Sequence, residues 1–134
     1  MATYRIGNDL DLDQVIDVYR KSTLGARRPV DDRERMEQML KTANLVVSAW
    51  DEQQLVGIAR SLSDYCYVTY LADLAVVESH QRLGIGRELV RQTQAAGGRA
   101  SVVLFAAPAA VDYYPRLGFR PGSGWMLGEL DRIR

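Results

Sequence analysis

The chain has 134 residues, enough for one domain with a single core, and its 47% hydrophobic and 25% charged residues give an ordinary globular profile. Seventeen basic and seventeen acidic side chains cancel, which argues against a general electrostatic grip on nucleic acid or an anionic membrane. Cys66 is the only cysteine, so an intrachain disulfide is impossible and neither a zinc cluster nor a secreted disulfide scaffold fits. The Met1–Ile6 start lacks a basic region followed by an apolar core, and no apolar run nears the roughly 20 residues that cross a bilayer. A cytoplasmic protein is expected.

Residues Thr3 to Gly7 alternate as a first strand, with Tyr4 and Ile6 on one face. Asn8 or Asp9, and Asp11, offer cap oxygens for a helix over about Leu12 to Ser22, whose inward stripe is Leu12, Val15, Ile16 and Tyr19. A loop from Thr23 to Val30 carries Gly25, Arg27, Arg28 and Pro29. Asp31 and Asp32 then cap a second helix to about Thr42, with Met36, Met39 and Leu40 inward. From Asn44 the pattern turns to strands: Leu45–Trp50, a turn at Asp51–Gln54, and an antiparallel partner over Leu55–Leu62.

Tyr70 to Arg91 is the stretch that carries most chemistry. Tyr70 to Val77 is apolar and β-branched enough for a buried strand. Gln81-Arg82-Leu83-Gly84-Ile85-Gly86 follows and opens a helix to about Ala96, with Leu83, Leu89 and Val90 as its apolar face and Gly97-Gly98 as its stop. Such a turn presents N–H groups at the positive end of a helix dipole, which binds phosphate. Gly84 and Gly86 leave room for a pyrophosphate to approach the main chain. A Walker A loop is excluded because no Gly-x4-Gly-Lys-Ser/Thr run exists, and the dinucleotide fingerprint fails because Leu89 stands where its third glycine belongs.

Val102 to Ala106 forms a fifth strand, a helix follows through Pro108–Gly118, and a final strand is expected over Trp125–Leu130. Gly118 is placed to end the fourth helix in the left-handed conformation.

Gln81-x-x-Gly84-x-Gly86 after a strand resembles the acyl-CoA pyrophosphate loop of the GNAT superfamily of N-acetyltransferases, and Ala110-x3-Tyr114-x3-Gly118-Phe119 resembles that family's C-terminal motif. The two motifs come in the family's order and at its spacing. The resemblance implies an α/β, mixed-sheet GNAT fold of order β-α-α-β-β-β-α-β-α-β, as one domain over residues 1–134. It implies acetyl-CoA as co-substrate and no metal. The main chain of Leu74, Ala75 and Val76 would pair with the pantetheine amides. Gln81, Arg82, Leu83, Gly84, Ile85, Gly86 and Arg87 would form the pyrophosphate loop, with the Arg82 and Arg87 side chains adding phosphate contacts.

By the same resemblance Tyr114 is the acid that protonates the departing thiolate, since a phenol with pKa near 10 can donate to it. Asp73 is the candidate base; the alternative is that it faces a helix and satisfies a buried donor, or that water replaces a dedicated base. Glu78 and His80 lie near the loop. The acceptor, a primary amine of a small molecule, is expected between the first two helices and the strand three–four loop. Arg27, Arg28 and Arg60 would take a carboxylate or phosphate of that acceptor, and Tyr65 and Tyr67 would line it. Three departures stand out: Ala107 replaces a common Asn, Glu78 replaces a common Pro, and Pro115 removes an N–H inside the fourth helix. A non-catalytic acyl-CoA-binding module and a protein or peptide amine acetyltransferase are the rival readings. Homodimers are frequent in the family.

Overall fold

The computed structural model describes residues 1–134. The chain divides into two compact units, Met1–Leu104 and Phe105–Arg134. The first holds a five-stranded sheet in the order β1 (Ala2–Ile6), β2 (Leu45–Asp51), β3 (Gln54–Ser63), β4 (Val68–Val76) and β5 (Ser101–Val103). All neighbours are antiparallel except β4 and β5, which run parallel. Helices α1 (Leu12–Arg20), α2 (Arg33–Thr42) and α3 (Ile85–Ala96) complete this unit. The sequence order and the observed order agree from β1 through β5.

Both sheet faces are covered. Gly57 of β3 faces α3, where a Cβ would lie 3.1 Å from Leu89 Cδ1. Arg60, three residues on, faces α1 and approaches the residue that Tyr19 also contacts. Double coverage explains why β2 and β3 read as near-continuous buried runs rather than alternating ones.

The caps follow side-chain chemistry. Asp11 accepts the Gln14 N–H at 3.1 Å to start α1, and Asp32 accepts the Arg35 N–H at 3.1 Å to start α2. Asn8 closes the other end instead, donating to the Leu40 and Ala43 carbonyls that α2 leaves open. Val18 joins Val15, Ile16 and Tyr19 in the buried face of α1. Leu83 was expected on the apolar face of α3 but lies before the helix and is exposed; Ile85, Leu89, Val90 and Thr93 form that face.

In the second unit the expected fourth helix is reduced to a 3-10 turn at Pro108–Ala110 and a short helix α4 at Tyr113–Arg116. Proline explains the break. Pro115 cannot donate to an earlier carbonyl, but a helix restarting at Tyr113 puts it in the first turn, where no donor is required. Gly118 ends α4 with φ 101°, the conformation expected of it.

The final strand expected over Trp125–Leu130 is absent. Pro121, Gly122, Gly124 and Gly128 crowd this stretch, and both residue types weaken a strand. Asp131 also captures the Gly128 N–H at 2.6 Å and returns its own N–H to the Gly128 carbonyl, closing a turn where the strand would run. No helix is long and apolar enough to cross a membrane.

Candidate active site

The geometry of β4 organises the first unit's site. Its register against β3 slips between Arg60 and Ser61: Ser61 pairs with Leu71, yet Arg60 pairs with Asp73, so Ala72 is the extra residue of a bulge. The bulge changes which face each residue meets. Thr69 Oγ1 lies against the end of α3, only 2.9 Å from where a Gly97 Cβ would stand, whereas Asp73, four residues on, meets Tyr19 of α1. An unbroken strand would put both on one side.

β5 pairs with β4 only as far as Tyr70–Val103, so Leu71 to Val76 have no strand on that edge. The Val77 N–H donates to Val56 O at 3.0 Å. By antiparallel alternation the main chain of Ala75 then turns toward β3, and that of Leu74 and Val76 toward the open edge. Of the three residues expected to meet pantetheine, Leu74 and Val76 present main-chain groups outward and Ala75 does not. The Gln81 side chain already donates to Val76 O at 2.9 Å, tying the loop to this edge.

The loop runs Gln81 to Arg87. Arg82 and Gly84 have φ of 64° and 83°, and a Cβ on Gly84 would meet nothing within 4 Å, so the backbone conformation rather than space calls for glycine there. Glu88 N–H donates to Gly84 O at 3.1 Å, the first bond into α3. That leaves the N–H groups of Arg82 to Arg87 without main-chain acceptors at a helix start. Arg82 and Arg87 are exposed and join none of the ion pairs. Glu88, the one acid in the first turn, is neutralised by Arg91 at 2.6 Å; this bond, aided by Gln92, holds its carboxyl down to about 2. Gly57, which the sequence reading passed over, lets Ile85 and Leu89 approach the sheet; an isolated strand glycine is the signal for such an approach.

Asp73 sits in a buried cluster. Its Oδ1 accepts from Arg28 Nε at 2.5 Å, and its Oδ2 from Arg60 Nε at 2.6 Å and Tyr19 OH at 2.5 Å. Burial raises its pKa, but Arg60, Tyr19 and Arg28 together outweigh burial and leave the carboxyl below its ordinary range. Burial, then the Asp73 charge, pushes the Tyr19 phenol up. This arrangement corresponds to the alternative for Asp73, a buried counter-ion, and a carboxylate so engaged is a poor proton acceptor.

The cluster also redistributes the arginines expected to bind an acceptor. Arg60 is 8% exposed and further donates to Met39 O. Arg28 donates to Ala72 O and Arg27 O as well as to Asp73. Neither therefore stands ready for a substrate anion, whereas Arg27 is exposed. Tyr65, with φ 62°, donates its hydroxyl to Asn44 O. A cleft of about 380 Å³ does lie between α1 and the start of α2, but it is lined by Asp13, Asp17, Arg20, Asp31 and Arg33 with Ile16 and Val30. None of Arg27, Arg28, Arg60 or Tyr65 contributes to it.

In the second unit, Tyr114 occupies the first turn of α4 and is half-buried, its ring edge-on to Tyr113 at 5.2 Å and to Phe119 at 5.5 Å. Burial raises its phenol pKa, with Tyr113 adding to the effect, so the hydroxyl is protonated at neutral pH.

Residues 18–124 match the family model described as an acetyltransferase (GNAT) domain. Curated relatives include an uncharacterized N-acetyltransferase of Pyropia yezoensis, 28% identical over 84% of this chain and 64% of its own length. They also include a chloroplastic GCN5-related N-acetyltransferase of Arabidopsis thaliana, 34% identical over 51% of this chain and 28% of its own. The chain thus spans less than two thirds of the curated relatives it matches. Among solved structures, a GNAT-family acetyltransferase from Streptococcus pneumoniae superposes with TM-score 0.76 at 26% identity, covering 96% of this chain and all of that one. An aminoglycoside N-acetyltransferase in complex with CoA shares the fold at TM-score 0.73 and 17% identity, over 96% of this chain and 94% of its own. The chain belongs to the GNAT acetyltransferase family.

Proposed function

We propose that the protein is an acetyl-CoA-dependent N-acetyltransferase acting on a primary amine of a small molecule, and that the family match across both units marks one catalytic domain. The observation that carries this reading is the pairing of an open β4 edge with a row of unpaired N–H groups at the start of α3. The edge fits an extended arm bearing amides, and the N–H row fits a pyrophosphate.

Leu74 and Val76 would align the arm, and Arg82 to Arg87 would hold the phosphates through their main chain, with the Arg82 and Arg87 guanidiniums alongside. The bound co-substrate supplies an activated acetyl thioester. Tyr114, protonated at neutral pH, would deliver the proton that the leaving sulfur needs. Because Asp73 is spent on two guanidiniums and a phenol, a proton from the amine would pass to water rather than to Asp73. Of the three arginines expected to meet the acceptor, Arg27 is the exposed one, and it favours an amine that also bears an anion.

The same engagement of Asp73 favours a second reading, an acyl-CoA-binding module without useful turnover. Calorimetric titration of acetyl-CoA into wild type and a Gly84→Glu, Gly86→Glu double variant tests the cofactor loop. Release of free thiol with a panel of amines then separates the two readings. Turnover that falls about a hundredfold or more in Tyr114→Phe supports the enzyme with its proposed acid. Binding with no turnover on any amine favours the module. A folded wild type that does not bind acetyl-CoA would sink both.

A further inference from the structure

Arg28 lies outside the pyrophosphate loop, on the connection between α1 and α2, yet its guanidinium reaches β4 at the bulge. Its Nη2 donates to the Ala72 carbonyl at 2.9 Å and its Nε to Asp73 Oδ1 at 2.5 Å, while Nη1 is anchored on its own chain by the Arg27 carbonyl at 2.9 Å. Ala72 is the extra residue of the bulge, and a bulged residue loses its place in the ladder. One planar fork therefore satisfies the carbonyl the bulge releases and grips the first side chain beyond it. An ammonium group, a single point of charge, lacks that two-pronged geometry.

The bulge matters because of where it stands. Pairing with β5 ends at Tyr70–Val103, and the open edge begins at Leu71, the residue before Ala72. The face switch also starts there, sending Asp73 to α1 while Thr69 stays with α3. Arg60 and Tyr19 hold the second oxygen of Asp73 from β3 and α1, so the bulge is braced from three elements. Of these braces only Arg28 binds the bulge carbonyl itself, and its side chain is 24% exposed against 10% for Arg60.

We propose that Arg28 is a positioning residue that locks the β4 bulge, keeping β4 apart from β5 so that the strand edge stays open to acetyl-CoA. The consequence for acetyl-CoA rests on the function proposed above; the lock itself does not. The α1–α2 connection and the cofactor strand are thereby coupled: releasing Arg28 lets Ala72 relax toward regular pairing and narrows the opening. Arg28 acts through Ala72 and Asp73 and touches no reacting atom.

Two measurements on the full chain test this. Hydrogen exchange over residues 70–76 of the unliganded protein reads the bulge directly, and calorimetric titration of acetyl-CoA reads its consequence. Arg28→Ala is expected to change exchange within 70–76 while leaving α3 and β2 unaltered. It is also expected to weaken acetyl-CoA by about tenfold or more, the scale of one lost charge-assisted bond. Millimolar methylguanidinium should restore part of the affinity to Arg28→Ala, and Arg28→Lys should recover less than that. Should Arg28→Ala not fold, Arg28→Lys and Arg28→Gln carry the same two measurements.

Unchanged exchange with weakened binding would mean that Arg28 touches the ligand, and the proposal fails. Altered exchange with unchanged affinity breaks the link from bulge to cofactor and overturns it as well. Wild type that does not bind acetyl-CoA, with exchange still altered in Arg28→Ala, defeats the functional reading and leaves the lock standing.

Discussion

His80 Nε2 lies 2.8 Å from Asp51 Oδ2, joining the residue before the phosphate-type loop to the end of β2. Ser79 Oγ meets the other ring nitrogen at 2.8 Å, so the imidazole is fixed from both sides. The His80 hydrogen bond is the main reason the Asp51 carboxyl lies below its ordinary range. A carboxyl depressed by folding contributes stability above its unfolded pKa, near 3.9, and loses it as pH falls through the folded value. Asp51→Asn should therefore melt lower than wild type at neutral pH, and the two should converge below about pH 4. A gap in melting temperature that stays constant down to acid pH would show that the pair adds nothing pH-dependent.

Asp64 shapes the turn between β3 and β4. Its Oδ1 accepts the N–H groups of Cys66, Tyr67 and Val68 at 3.0, 2.7 and 3.0 Å. Tyr67 leads these bonds in holding the carboxyl down to about 2. The side chain should therefore titrate near that value by carbon-detected NMR, and the loop should stay ordered until pH falls well below the ordinary carboxylate range. A midpoint near 3.9 would mean that the three bonds are not maintained in solution.

Tyr19 OH is buried and donates to Asp73, which keeps two guanidiniums when the phenol is removed. Tyr19→Phe retains the ring and its packing, so only the hydrogen bond changes. Urea denaturation should show a loss of about 1.5–3 kcal/mol, the range for one hydrogen bond to a charged group. A loss under about 0.5 kcal/mol would mean that Arg28 and Arg60 alone satisfy the carboxylate.

Much of this molecule is legible in its sequence, for reasons that differ from element to element. Period and caps place α1, α2 and α3, because Asp11, Asp32 and the Gly97-Gly98 pair act on their immediate neighbours. The glycine loop is legible because Gly84 needs a left-handed backbone wherever the rest of the chain goes. The Ala72 bulge is not, since β-branched and apolar residues run past it without a mark. Only pairing with β3 shows that Thr69 and Asp73 part company. Arg28 and Arg60 read as substrate ligands for the same reason: nothing local to either announces a carboxylate 45 or 13 residues away. The absent final strand illustrates competition, because the Gly128–Asp131 turn takes up residues of the Trp125–Leu130 stretch where the strand is expected.

Gly57 gives the sharpest packing prediction. A methyl group there would lie 3.1 Å from Leu89 Cδ1, 3.3 Å from the Ala75 carbonyl oxygen and 3.3 Å from Ile85 Cγ2. Leu89 and Ile85 are buried, at 0% and 4% exposure, so their side chains have little free space into which to retreat. The carbonyl belongs to β4 and moves only with the strand. Gly57 has no positive φ, so alanine meets no backbone penalty and the whole effect is steric. Overpacking of this kind costs about 1–3 kcal/mol, and α3 yields before the sheet does because it is held by side chains rather than by a ladder. Moving Ile85 moves the start of α3, and with it the N–H groups of the loop. Gly57→Ala should therefore lower stability in urea and weaken acetyl-CoA in the same titration used for Gly84→Glu, Gly86→Glu. A variant as stable as wild type, with unchanged affinity, would show that α3 does not rest on Gly57 as tightly as these distances require.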